Sequence, residues 1–328
     1  MRRVTLAVVR FALVVGFVAG LAGAPPVAKR SGVVVTGSHG TTSTALEVKH
    51  PDRIDPIGET DLVIRRVVHA WADGLAAVAS VLGEQDPSWG SEAFDLGGGR
   101  VALWGAGSYV NRAVAVGVDR PMTVAEFEVL EHRSTAAGVE AAIDVTPVTR
   151  PEVVTMAVER GYVEVATASA FRHVADVPVP AEVVVDVSVE SAVDQVATWQ
   201  AVSAAGWGHV TPAARRVSDA FAAATAVVDG DGFVLARDVA DGRPLGCASV
   251  AIRDGVATLG AMATLPDERG RGVQAALVRH RVSLGRVAGC EVAVATTARG
   301  SASERNLLRL GFDHWFDVTT LSRPTDGR

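Results

Sequence analysis

Six consecutive residues, Arg269-Gly270-Arg271-Gly272-Val273-Gln274, stand between a run that reads as a strand and one that reads as a helix. A glycine-bearing turn at a helix start exposes several backbone N–H groups that have no partner inside the helix. The helix dipole adds partial positive charge there, so such a turn suits an anion of the pyrophosphate kind. Arg269 and Arg271 bring cationic charge to the same place. The hexapeptide alone also fits a soluble Arg/Gly surface turn, so the elements around it must decide.

Those elements can be read from pattern. After the loop, the spacing predicts a helix over 272–288, with Val273, Ala276, Leu277, Leu284 and Val287 on one apolar face and Gln274, Arg279 and Arg286 elsewhere. Gly289 is its expected stop. Before the loop, three apolar runs at 233–239, 245–253 and 256–265 are separated by Asp241-Gly242 and Asp254-Gly255. Asp-Gly between apolar runs signals a hairpin, because both residues tolerate positive φ, and the three runs are read as an antiparallel meander. Further upstream a strand is expected over 182–189, a helix opening at Ser191 and running to about 205, and another helix starting cleanly at Thr211-Pro212. A strand over 291–296 and a helix over 302–310 complete the series.

The first half follows the same plan. Glu159-Arg160-Gly161-Tyr162 near its end matches Arg309-Leu310-Gly311-Phe312, each followed by a strand-like run, with the two glycines about one domain length apart. Upstream come a strand at 113–118, a helix at 124–137, a strand at 140–145 and a helix at 152–160. We divide the chain into copies at 61–175 and 181–323, joined by the stiff segment Asp176-Val177-Pro178-Val179-Pro180. At the point matching the Arg/Gly loop, the first copy reads Asp119-Arg120-Pro121-Met122-Thr123. It has no glycine, Pro121 removes a donor and Asp119 repels phosphate. The first copy is therefore expected to keep the architecture without the cofactor site, packing on the second and walling an acceptor pocket.

A meander ending in Thr264-Leu265-Pro266, the Arg/Gly loop, a helix, a strand, and a helix ending in Gly311-Phe312 together resemble the GNAT (N-acetyltransferase) superfamily, in a tandem form with a degenerate first copy. The resemblance covers about 183–321 well and the first half by topology. It implies an α/β (α+β) fold of two tandem GNAT-like domains, each a mixed, mostly antiparallel sheet flanked by helices. In the family pattern, Arg or Gln is followed after two residues by Gly, then after one more by Gly or Ala. Arg269 and Gly272 fit; Gln274 stands where Gly or Ala is usual. The resemblance further implies that the amides of Gly270, Arg271, Gly272, Val273 and Gln274 hold the pyrophosphate of acetyl-CoA. Backbone groups around Met262, Ala263 and Thr264 would pair with the pantetheine arm, as an extended ligand does on a strand edge. The acceptor would be an amine of a small molecule or protein. Where the family commonly has a tyrosine acid, this chain has Leu307. Ser303 and Asn306 are the nearest side chains that could bond the sulfur or the arm. The strand at 256–265 offers no carboxylate base, and His209 beside Trp207 is a loop histidine, so acid and base stay unassigned. A non-catalytic acyl-CoA-binding or sensing module is the alternative.

Composition sets outer limits. Hydrophobic residues make up 48% and charged residues 21%, a globular balance, and the net charge of −6 gives no basic surface for nucleic acid. Cys247 and Cys290 lie in strand-like runs and read as buried thiols, with a disulfide as the other option. No Cys/His cluster has metal-ligand spacing, so no metal is expected. Met1-Arg2-Arg3 precedes an apolar run that Arg10 interrupts, which resembles a secretory signal. Residues 1–60 are read as a poorly ordered extension, either a targeting segment or the product of a start assigned too far upstream. A cytoplasmic protein without membrane attachment is the expectation. The run Gly105-Ala106-Gly107-Ser108-Tyr109-Val110 lacks the third glycine of a dinucleotide fingerprint, and a strand follows it where a helix is required. Gly97-Gly98-Gly99 is read as a turn, and Trp71, Trp89 and Trp104 as core or interface.

Overall fold

The computed structural model describes residues 59–324 except 107, 109, 175–176, 181–185 and 210. The expected extension lies, up to residue 58, outside the described residues. Its last two residues instead begin α1 (Glu59–Gln85). The first copy then runs β1 (Glu92–Leu96), β2 (Gly99–Leu103), β3 (Asn111–Val114), α2 (Val124–Ala136), β4 (Ala141–Val145), α3 (Pro151–Glu159) and β5 (Val163–Val174). The second runs β6 (Val187–Ser191), α4 (Val196–Trp207), α5 (Pro212–Thr225), β7 (Asp231–Asp238), β8 (Pro244–Arg253), β9 (Val256–Thr264), α6 (Val273–Val287), β10 (Val292–Thr297), α7 (Ala302–Arg309) and β11 (Asp313–Arg323).

All the strands join one sheet in the order β1-β2-β3-β4-β11-β5-β10-β9-β8-β7-β6. The order records an exchange. The last strand of the first copy, β5, pairs antiparallel with β10 of the second, and β11 of the second pairs antiparallel with β4 of the first. β5 and β11 also pair with each other, Val318 opposite Ala168 and Thr319 opposite Thr167, so they form the seam. Pairing is otherwise antiparallel except at β3–β4 and β9–β10.

Alternation along the strands assigns two faces. On one, Trp71, Leu75 and Val78 of α1 share a core with Ala102, Ala170, Val294 and Phe316, so this single helix crosses strands of both copies. On the other, α2 and α3 bury Phe127, Leu130 and Val153 against Leu103 and Ile143, while α6 and α7 bury Val278, Val282 and Leu307 against Ala293 and Ala295. A buried ion pair ties the copies: Arg112 of β3 donates to Asp144 of β4 at 3.3 Å, and the Asp144 carboxylate also accepts the Thr320 hydroxyl of β11 at 2.7 Å.

Local chemistry explains the boundaries. Thr211 accepts the Ala214 amide and Pro212 follows, so α5 starts as its sequence predicts. The Asp254-Gly255 turn has φ of 48° and 74°, whereas in the longer β7–β8 loop only Gly242 of the Asp-Gly pair is positive, at 73°. Ser191 ends β6 and does not open a helix, because Ala192 still donates to Phe233 in the sheet at 2.8 Å. β3 stops at Val114, short of the expected 118, where Ala115 (φ 59°) and Gly117 (φ 72°) turn the chain away. The apolar face expected for α6 also needs correction. Val287 is 85% exposed, and the buried stripe runs through Val273, Leu277, Val278, Arg281, Val282 and Gly285. The helix turns Arg281 inward and leaves Val287 in solvent.

Candidate functional site

β9 and β10 run parallel and pair only over Val256–Thr258 and Val292–Val294. Beyond that they part, and among the described residues the edge of β9 from Leu259 to Thr264 has no strand neighbour on that side. On its other side β9 stays bonded to β8, with an irregularity between the pairs Ser249↔Gly260 and Cys247↔Ala263 that puts Ala261 at φ 41°. The V between the strands is a cavity lined by Leu259, Gly260, Met262, Val278, Arg281, Ala295, Thr296, Thr297, Ser303 and Leu307. Met262, Ala263 and Thr264 therefore lie on a main-chain edge beside a cleft, the arrangement an extended arm needs.

The Arg/Gly loop ends at the mouth of this cleft. Gly272 is the N-cap of α6 in a left-handed conformation (φ 77°), Gly270 is likewise at φ 84°, and no side chain caps the helix. The first-turn amides, from Val273 onward, are left facing outward with the dipole behind them. The two arginines are placed otherwise than their charge suggests. Arg271 is held by Glu268 at 2.6 Å and Asp238 at 2.9 Å, and Arg269 donates to the Gly206 carbonyl at the end of α4 at 3.3 Å. Arg243 also pairs with Glu268 and Asp238. What the loop presents at the helix start is thus main chain, with its arginines bracing the loop.

The first copy supplies an internal control. Its α2 begins at the equivalent place, but there Thr123 and Glu126 form a capping box. The Glu126 carboxylate accepts the amides of Thr123 at 2.8 Å and Gly97 at 3.1 Å and pairs with Arg120. Those bonds hold its pKa down at about 2, the Arg120 guanidinium contributing most. Asp119, expected to repel phosphate, is instead turned to Arg65 and His69 of α1. One copy has filled its helix N-terminus with its own carboxylate; the other has left it open.

Gln274, Ser303 and Asn306 come together. The Gln274 amide donates to Ser303 Oγ at 3.4 Å and accepts from the Asn306 amide, bridging α6 and α7 across the cleft mouth. Leu307 is buried (2% exposed) and forms part of the cleft lining, to which it presents only methyl groups. His209 follows the C-cap of α4; burial lowers its pKa, and its Nδ1 has no hydrogen-bond partner among the described residues. Cys247 and Cys290 are buried free thiols. Among the described residues no cluster could hold a metal ion, and no helix is long and apolar enough to cross a membrane.

Residues 199–312 match the family model described as the Acetyltransferase (GNAT) family. This part of the chain is similar to that family. The structure is similar to a GCN5-related N-acetyltransferase from Kribbella flavida, with a TM-score of 0.57 at 20% identity, covering 80% of this chain and 95% of that one. It is also similar to a tandem GNAT protein from the clavulanic acid biosynthesis pathway, with a TM-score of 0.54 at 17% identity and coverage of 79% and 96%. At such identities the likeness establishes the fold, including its tandem form. No curated protein matches the chain.

Sequence reading missed the cleft side of α6. Val278 and Arg281 share one face of the helix and line the cavity, and Gln274, one turn before Val278, bonds the lining residue Ser303. A signal was present: Arg281 sits four residues after Leu277 and four before Gly285, on the face that must meet the sheet.

Proposed function

We propose that the second copy transfers an acyl group, acetyl in the first instance, from acyl-CoA to an amine of a small molecule or protein. The observation that carries this reading is the uncapped helix start at Gly272 opening onto the parted strands β9 and β10. The amides of Gly270 to Gln274 would take the pyrophosphate and the edge at Met262 to Thr264 the pantetheine. The amine would attack the thioester directly, aided by positioning and by backbone donors at the developing oxyanion. The first copy would contribute packing and part of the acceptor wall. We place the reaction in the cytoplasm, where acyl-CoA chemistry belongs.

A second reading, an acyl-CoA-binding module without efficient turnover, draws support from Leu307 and from the Gln274 bridge over the mouth. Thermal unfolding of the full chain with acetyl-CoA, alongside Gly272→Asp, tests the shared part. Ligand at about 100 times Kd adds about 2.7 kcal/mol to the folded state, or about 2–4 °C per kcal/mol at this size. A rise that the variant abolishes supports the site; no rise in either protein removes it. Turnover on a panel of amines then separates transferase from sensor.

A further inference from the structure

Arg281 is the most deeply buried arginine among the described residues, 1% exposed. Its guanidinium donates to the carbonyls of Ser249 at 2.9 Å, Gly260 at 3.0 Å and Leu277 at 3.1 Å, and to Met262 Sδ at 3.1 Å. Three carbonyls and a thioether satisfy donors, but none carries a full negative charge. No carboxylate among the described residues pairs with it, whereas the other deeply buried arginine, Arg112, has Asp144. Burial lowers the Arg281 pKa to about 9, which leaves it charged at neutral pH. An uncompensated buried cation is costly unless something else requires it.

Its position indicates what that is. Ser249 and Gly260 are register partners at the irregularity of β8 and β9, so Arg281 holds the strained turn at Ala261 from beneath. It also lines the cleft, beside Leu307. The ionisable groups facing it are few. On β8 the Cys247 thiol is pushed up to about 12 by burial, and on its own helix the half-buried His280 is shifted toward its neutral form by burial and by Arg281 itself. From β10 and α7 the cleft receives only Ala295, Thr296, Thr297, Ser303 and Leu307.

We propose that Arg281 takes over electrostatically the leaving-group task for which this chain has no tyrosine, holding negative charge on the CoA sulfur as the acyl group departs. This rests on the reading of the cleft as an acyl-CoA site. As the amine nitrogen bonds to the acyl carbon, the carbon–sulfur bond breaks and its electron pair goes to sulfur. The thiolate leaves beside the cation, and the proton lost by the amine returns to it through solvent. Arg281 is here a positioning and electrostatic residue, not a proton donor.

The test is the titration of the thiol of CoA bound to the full chain, followed by thiolate ultraviolet absorbance. Bound CoA should ionise about one pH unit or more below free CoA. Arg281→Lys should keep part of the shift and Arg281→Met lose it, with CoA still bound. A bound thiol that titrates like free CoA in the unsubstituted protein overturns the inference, whether or not the Met variant folds. An unchanged shift in a folded, CoA-binding Met variant does so too. Failure of the unsubstituted protein to bind CoA instead sinks the reading of the cleft, and this inference with it.

Discussion

The carboxylate of Glu126 accepts the backbone N–H of Thr123 at 2.8 Å and closes the start of α2, while Gly272, its counterpart in the second copy, starts α6 with no side chain over it. The same helix end has become a cap in one half and an open seat in the other.

Removing the cap should therefore weaken the fold and leave ligand binding alone. Glu126→Gln is expected to cost about 1 kcal/mol at neutral pH. The Glu126 pKa is depressed from 4.5 to about 2, so its contribution is complete above about pH 4.5 and is lost as the pH falls toward 2. Urea midpoints of the two proteins should differ at pH 7 and converge near pH 2. A constant difference across that range would refute the assignment.

Cutting the Gln274 bridge should open the cleft. Gln274→Ala loses its bonds to Ser303 and Asn306 and is expected to lower stability by about 1 kcal/mol. Stopped-flow association with acetyl-CoA should become several-fold faster. Slower association would mean that the amide contacts the ligand instead of barring its way.

β9 lies so close to its neighbours that glycine is required beside it. A Cβ on Gly246 would stand 2.7 Å from the Ala263 carbonyl oxygen and 2.8 Å from Val273 Cγ1. Gly246→Ala should cost about 1–3 kcal/mol and weaken acetyl-CoA binding by shifting the edge at Ala263. Calorimetric unfolding and binding titration would both register it; an unchanged melting point would show that the strands give way freely.

The buried ion pair beside the seam should be costlier to break than any surface pair. Asp144→Ala deprives buried Arg112 of its carboxylate and Thr320 of its acceptor. The expected loss is about 3–5 kcal/mol, read from the denaturant midpoint. A loss below about 1 kcal/mol, the range of an exposed pair, would show that the site admits water.

What could be read from sequence was local. The Asp254-Gly255 hairpin, the Thr211-Pro212 helix start and the Gly289 and Gly311 stops each depend on residues within a few positions, and each is present. The start of α6 at Gly272 is local in the same way. The positions of Arg269 and Arg271 depend on Gly206, Glu268 and Asp238, partly distant in the chain, and their charge alone suggested a different role. Arg281 was hidden because hydrophobic period treats an arginine as outward-facing, whereas here carbonyls released by a strand irregularity supply its partners. The pairing of β5 with β10 and of β11 with β4 leaves no local trace, since all four runs carry the pattern of strands for either partner.

The crossing of β5 and β11 sets an order of events during synthesis. β4 reaches this partner only when β11 leaves the ribosome, and until then β4 and β5 expose hydrogen-bonding edges on a nascent polypeptide. Translation delivers about 5–20 residues per second, so those edges wait for seconds. A message truncated before β11 would yield no working first half, only a sheet missing its middle.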